Sequence, residues 1–302
     1  VTQQFIFIIL LIALGYFLKR INYLKASDSK VLSTIVFNVT LPSLIIVNLN
    51  SAELDLSLSI LPIMMIVYAL ITKFIAILCF LKYDNQIRGT VGMMTASLNI
   101  GLFAYPLVEA IWPEQGLIYF GMADVGASIM MFGVTYIIGS YFSDGPKQLN
   151  FSAILMSLAK SVPLVTYIVM FTLNISHIHF PEPVENFFNI LSQANMPLSM
   201  ILLGLTLNFT LERKWLPLVL KYLGLHYGFA IVAGLLVAFL LPVDDPMIKT
   251  TLQVAWLLPV GVAIIQYTIQ FRYKTLPFVA MTTNISIMIS IVAIYLYQMF
   301  FV

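Results

Sequence analysis

The stretch Ser97-Leu98-Asn99-Ile100-Gly101-Leu102-Phe103-Ala104-Tyr105-Pro106 lies inside an apolar run, Gly89–Ile111, and is poorly suited to a continuous helix. Pro106 has no backbone N–H, and its ring displaces the carbonyl four residues earlier. Gly101 and Asn99 tolerate unwound backbone. Peptide groups freed in this way cannot face hydrocarbon, so they must be buried in protein or line a cavity. A second run, Met247–Phe271, repeats the device at Leu257-Leu258-Pro259-Val260-Gly261. Half-helices whose N-termini aim at such a break favour an anion. Two breaks at matching places predict one crossover, with Asn99, Gly101, Pro106, Pro259 and Gly261 around a substrate.

The rest of the chain makes the medium around these breaks a bilayer. Hydrophobic residues are 61% of the 302 and charged residues 9%, against about 25% charged in soluble domains. One soluble core cannot hide that much apolar surface. Ten runs approach the ~20 residues of a spanning helix: Gln3–Leu18, Ser29–Leu49, Ser57–Leu81, Gly89–Ile111, Gln115–Phe142, Phe151–Leu173, Val184–Phe209, Leu216–Leu241, Met247–Phe271 and Leu276–Phe301. The fold expected is an all-α polytopic membrane protein of ten transmembrane helices. The positive charges nearest the first run, Lys19 and Arg20, follow it rather than precede it, so it reads as a retained helix and not a signal peptide.

Loop charges orient the runs. Lys19, Arg20, Lys25 and Lys30, then Lys82 and Arg88, then Lys147, then Arg213 and Lys214, then Arg272 and Lys274 fall on alternate connections. Between them stand Glu53 and Asp55, Glu114, Glu182 and Glu185, and Asp244 and Asp245. The positive-inside rule makes the basic set cytoplasmic and leaves both termini outside, in a cell (plasma or inner) membrane.

An internal repeat accompanies this alternation. Pro42 and Pro197 are 155 residues apart, and Pro106 and Pro259 are 153 apart. Runs one to five then correspond to six to ten. Five is odd, so the halves, 1–145 and 150–302, have opposite membrane orientation. Such an inverted five-plus-five repeat, with broken helices four and nine crossed, is a transporter plan that puts the site near the midplane.

The order and spacing of these motifs resemble the auxin efflux carrier (PIN-like) family, in its bacterial branch. Asn99 stands seven residues before Pro106 with small residues between, as in that family's crossover helix. Leu257-Leu258-Pro259-Val260-Gly261-Val262 is similar to its second crossover, and Pro197-Leu198-Ser199-Met200 with Gly204 to its seventh helix. The chain departs from the family where Val162 rather than Asn precedes Pro163, and only Ser143–Asn150 joins the halves. The resemblance implies a scaffold from helices 1, 2, 6 and 7, and a mobile transport core from helices 3–5 and 8–10. It also implies a homodimer through the scaffold and a small carboxylate as substrate. Asn99 is expected to donate its side-chain amide to that carboxylate, and Gln193 and Asn195, one helical turn or less before Pro197, to face the same cavity from the scaffold.

Ionisable residues inside spans are costly and therefore functional suspects. Lys73 and His226 are 153 residues apart and read as repeat mates. Asp124 has Thr283 or Asn284 as its approximate mate. Asp124, Lys73, His226 and Asn284 form the candidate coupling set, with an Asp124–Lys73 ion pair that a proton or the substrate opens.

The function expected is secondary active transport of a small organic anion by alternating access, as an exporter or with proton linkage. The alternative is a sodium-coupled organic-anion symporter of the bile-acid type, which the lack of Asp or Glu in the ninth run disfavours. No Gly-rich loop ends in Gly-Lys-Ser or Gly-Lys-Thr, which excludes an ATP motor of that type. Three scattered histidines and one cysteine, Cys79, give neither a metal nor a cofactor site, and no enzyme is expected. A net charge of +2 without a basic patch excludes nucleic acid as partner.

Overall fold

The computed structural model describes residues 2–50, 52, 55–113, 115–144, 151–208 and 212–301. Glu53, Glu114 and Lys147 of the loop-charge pattern lie outside the described residues. Among those described, nearly all regular structure is helical. Among the described residues, seven helices are long and apolar enough to cross a membrane: Thr2–Arg20, Ala26–Asn50, Ser57–Cys79, Gly116–Phe142, Glu182–Thr206, Leu216–Leu240 and Leu276–Phe300. An eighth span results if Ile154–Lys160 and Val162–Ile175, bent by 72°, are one. The fourth and ninth runs are not continuous helices. They divide into Asn85–Met94 with Tyr105–Ile111, and Pro246–Trp256 with Ala263–Gln270.

Proline chemistry sets several of these interruptions. One wide, π-helical turn covers Val36–Thr40 and another Ile100–Ala104. Each ends two residues before a proline, Pro42 or Pro106, where the missing N–H and the ring disturb the i→i−4 ladder.

The chain forms two compact units. The first comprises Val1–Ser59, Ile100–Met122 and Ala159–Leu207. Its helix Thr2–Arg20 buries Phe5, Ile8, Ile12 and Gly15, the three-and-four spacing of one helical face. That face meets Asn195–Thr206 at backbone contact, because a Cβ built on Gly15 would lie 2.1 Å from the Ile201 carbonyl oxygen. Lys19 Nζ then donates to the carbonyls of Leu205 (2.9 Å) and Leu207, at the C-terminal end of the same helix. Near Asn50, the Asn174 amide donates to Leu49 O and the Asn50 amide to Glu185 Oε2, both at 2.7 Å.

The second unit comprises Ile60–Asn99, Ala123–Leu158 and Asn208–Val302. Its core joins Ala76 and Phe80 to Val91, Met93, Met94, Tyr222 and Phe278. Both broken runs contribute to this unit, and they begin alike. Asp84 caps Asn85–Met94 by accepting from Ile87 N at 2.8 Å, and Asp245 caps Pro246–Trp256 by accepting from Met247 N at 2.8 Å.

Candidate functional site

The site is built where Asn85–Met94 and Pro246–Trp256 end. After Met94 the backbone turns through Ala96, which has φ of 51°. This left-handed conformation costs a residue with a Cβ about 1–2 kcal/mol. Ser97, Leu98 and Asn99 then run extended beside Pro259, Val260 and Gly261. Asn99 N donates to Pro259 O at 2.9 Å, Gly261 N donates to Ser97 O at 2.7 Å, and Leu98 and Val260 make an antiparallel bridge. The two breaks thus satisfy each other's peptide groups, as a low-dielectric interior demands.

Side chains complete that satisfaction. Val260 N donates to Ser286 Oγ at 3.1 Å, and Ser290 Oγ donates to Leu257 O at 2.7 Å. His226 Nε2 lies 3.1 Å from Leu258 O. Lys73, only 2% exposed, sends Nζ to Thr95 O (2.6 Å), Gly92 O (3.1 Å) and Met93 O (3.5 Å). It also reaches Thr135 Oγ1 (2.9 Å) and Ser97 Oγ (3.2 Å). Lys73 and His226 therefore do the same work at two helix ends. Each supplies donor hydrogens to carbonyls that the broken ladder leaves over, at the negative pole of the helix.

The expected partner of Lys73, Asp124, is not among those five oxygens. Asp124 is half-buried, and its Oδ1 accepts from Ser128 Oγ at 3.3 Å. Asn284 is 8% exposed and bonds to the backbone of Asn208, donating to its carbonyl at 2.8 Å and accepting from its N–H at 3.3 Å.

Asn99 is 6% exposed, and among the described residues its Nδ2 has no hydrogen-bond partner. Gly261 is different from expectation in one respect: its own N–H is taken by Ser97. Its missing side chain permits the pairing, since a Cβ there would stand 3.1 Å from Ser97 O and 3.0 Å from Met131 Cε. The two prolines do not occupy equal places. Pro259 sits within the extended pair, whereas Pro106 is the second residue of the half-helix Tyr105–Ile111.

Gly101, Pro106, Gln193 and Asn195 belong to the first unit. Gly101 is in the wide turn Ile100–Ala104, with Phe37 Cε1 2.8 Å from where its Cβ would be. Gln193 is exposed, while Asn195 is fully buried. Asn195 Oδ1 accepts from Thr40 Oγ1 at 3.1 Å, and Nδ2 is without a partner among the described residues. Glu109 lies beside this amide, with Oε2 likewise buried and unpartnered among the described residues. Sequence reading passes over Glu109, which sits two residues from the end of its run and so looks like a boundary charge. The available signal is its place on the short half-helix after a proline break.

Ala96 offers a direct test of this geometry. Ala96→Gly should raise the melting temperature in detergent, because glycine releases about 1 kcal/mol of left-handed strain and gives back part of it in chain entropy. Ala104→Gly is the opposite case. Ala104 is buried at φ −72°, so the same change should lower the melting temperature.

Residues 1–152, half of the chain, match the family described as Membrane transport protein, and the chain belongs to that family. It is 29% identical over 217 residues to an uncharacterized transporter of Methanothermobacter thermautotrophicus, covering 70% of each chain. A Methanocaldococcus jannaschii protein, also an uncharacterized transporter, is 29% identical over 238 residues, 73% of this chain and 70% of that one. The uncharacterized transporter YfdV of Escherichia coli is 23% identical over 260 residues, 76% of this chain and 82% of its own. The likeness to PIN-like carriers of bacterial type, read from Asn99, Pro106 and Pro259, agrees with these matches. The chain is a multi-pass membrane transport protein and not an enzyme.

Proposed function

We propose that this protein is a secondary active carrier that moves a small organic carboxylate across the cell membrane by alternating access. The observation that carries the reading is the Asn99 amide. It is a buried donor without a partner among the described residues, standing at the junction of two broken helices whose backbone groups otherwise satisfy each other. A buried unpaired donor costs about 1–3 kcal/mol, and a carboxylate oxygen would repay it. Backbone donors beside Gly261 complete this anion site in the second unit, and Gly101, Asn195 and Gln193 are proposed substrate contacts of the first unit.

Eight continuous or bent spans and two broken ones make ten transmembrane helices, with the fourth and ninth crossed and the halves related as an inverted repeat. Support comes from the parallel construction of the two broken runs: an Asp cap, a helix of ten or eleven residues, a capped break and a second half-helix. The division into two compact units supports a scaffold of helices 1, 2, 6 and 7 and a moving core, with 100–122 grouped with the scaffold helices. The loop charges support both termini outside, and the scaffold is the proposed homodimer surface. Asp124 is the proposed proton acceptor for coupling, with His226 and Asn284 as neutral polar groups of the same unit.

A thermal-shift screen of purified protein against mono- and dicarboxylates, across pH and with or without sodium, tests the substrate class. A ligand at a hundred times its Kd stabilises by about 2.7 kcal/mol. At least one small carboxylate should raise the melting temperature and its uncharged amide analogue should not. No response to any carboxylate, with a response to cations or neutral solutes, would overturn the reading.

A further inference from the structure

Lys73 sits in a cage that is unusual for a lysine. Among the described residues, the five hydrogen-bond partners of Nζ are neutral oxygens: three backbone carbonyls, of Gly92, Met93 and Thr95, and the hydroxyls of Ser97 and Thr135. No carboxylate is among them. The carbonyls come from the C-terminal end of Asn85–Met94, where helix dipoles favour a cation. Rings of carbonyl and hydroxyl oxygens are also what proteins use to replace the hydration shell of an alkali metal ion.

The backbone and hydroxyls around the cage are themselves hydrogen-bonded to one another. Val91 O is met by Thr95 N and Thr95 Oγ1, at 3.0 and 2.8 Å. Met94 O is met by Ser97 N at 3.2 Å, and Met93 O by Ser97 Oγ at 2.5 Å. Ser97 Oγ, on the extended stretch after Met94, and Thr135 Oγ1, on the helix Thr135–Phe142, stand 3.1 Å apart within the one unit. What remains open on this helix end is an inward-facing set of lone pairs, and the lysine's positive charge fills it. The cage adjoins the paired breaks directly, because Ser97 O also receives Gly261 N.

We propose that the Lys73 ammonium is a tethered cation occupying a monovalent-cation site, and that the same oxygens bind a free alkali ion once that ammonium is removed. In the parent chain the site is filled permanently, so its order does not depend on sodium or potassium. The inference concerns cation binding within one compact unit and holds whatever substrate the carrier moves.

The test uses full-length protein in detergent, prepared in choline chloride. The parent, Lys73→Ala and Lys73→Gln are titrated with sodium, potassium or lithium chloride at constant ionic strength. Melting temperature and bound 22Na+ are read. Glutamine is included because its side-chain oxygen adds an acceptor to the cage and keeps the volume filled. The parent should respond to none of the salts. Each lysine variant should melt lower than the parent in choline and show a saturable rise of several degrees with at least one alkali ion. Adding Thr135→Val to either should weaken that response at least tenfold. A purely structural lysine predicts variants that are destabilised equally in every salt, and that result overturns the proposal. So does failure to recover either variant in any alkali salt, because the free ion is expected to replace the tethered one. A response in the parent equal to that of the variants also overturns it.

Discussion

Asn99→Ala should weaken carboxylate binding roughly 10- to 150-fold, the equivalent of about 1.5–3 kcal/mol for a hydrogen bond to a charged group. The same protein should melt no lower than the parent. The two readouts move apart because of what the amide does in the folded chain. Its Nδ2 is buried and has no partner among the described residues, so truncation removes a polar group that protein contacts do not satisfy. Deleting such a group is close to neutral for folding, whereas deleting a paired one is not. The backbone of Asn99, which holds Pro259 O at 2.9 Å, is untouched by the substitution. Asn99→Asp should bind worse than Asn99→Ala, since it sets one carboxylate against another. Calorimetry with the best carboxylate from the thermal screen, and melting curves without it, check both halves. A large fall in melting temperature with unchanged affinity would make Asn99 a structural residue and move the site elsewhere.

Much of the helical layout is legible in the sequence because lipid imposes one strong rule, a long apolar run for each span. The runs Leu216–Leu241 and Leu276–Phe301 coincide with observed helices to within a residue. The fourth run shows where the rule fails. Hydropathy begins it at Gly89, but the helix starts at Asn85, because Asp84 caps it and the polar first turn is helical without being apolar. The seventh run, Val184–Phe209, by contrast falls on one span, Glu182–Thr206, whose backbone stays right-handed helical through Gln193 and Ala194; Phe209 lies outside the described residues.

The breaks themselves are legible from proline and glycine, but their register is not. Equal spacing suggests that Pro106 and Pro259 play equal roles. In the structure Leu98 opposes Val260, so Ser97 faces Gly261 and Asn99 faces Pro259, while Pro106 lies beyond the pairing. Peptide groups choose that register, and they carry no residue signature. The same reason hides the surroundings of Lys73. A buried lysine prompts a search for an acidic partner such as Asp124. Its hydrogen bonds go instead to carbonyls, which any residue provides, and to Ser97 and Thr135, two hydroxyls unremarkable in a chain that has many. The parallel between Lys73 and His226 is readable in part from their spacing. That both attend to broken helix ends becomes visible only when those ends are located.

Gly204→Leu should lower the melting temperature by roughly 6–12 °C, the shift expected for a loss of about 3 kcal/mol in a protein of this size range. The argument is steric. A Cβ at Gly204 would lie 2.1 Å from Ile12 O and 2.8 Å from Tyr16 N, both backbone atoms of the facing helix. Backbone cannot rotate away as a side chain does, so Thr2–Arg20 and Asn195–Thr206 must separate. Separation exposes the face of Phe5, Ile8 and Ile12 to lipid, which replaces burial against protein at little hydrophobic cost, but it forfeits close van der Waals contact. It also draws Lys19 away from the carbonyls of Leu205 and Leu207, leaving polar groups unpaired at the helix end. Gly15→Leu should act alike, since its Cβ would meet Ile201 O at the same 2.1 Å. The two substitutions damage one interface, so their double mutant should cost less than the sum. Gly228→Leu is the control. Among the described residues nothing beyond its chain neighbours and its own helix backbone lies within 4 Å of its Cβ position, and leucine is a better helix former than glycine, so that variant should melt at or above the parent. Equal melting temperatures for Gly204→Leu and Gly228→Leu would show that close approach at Gly204 contributes nothing to the first unit.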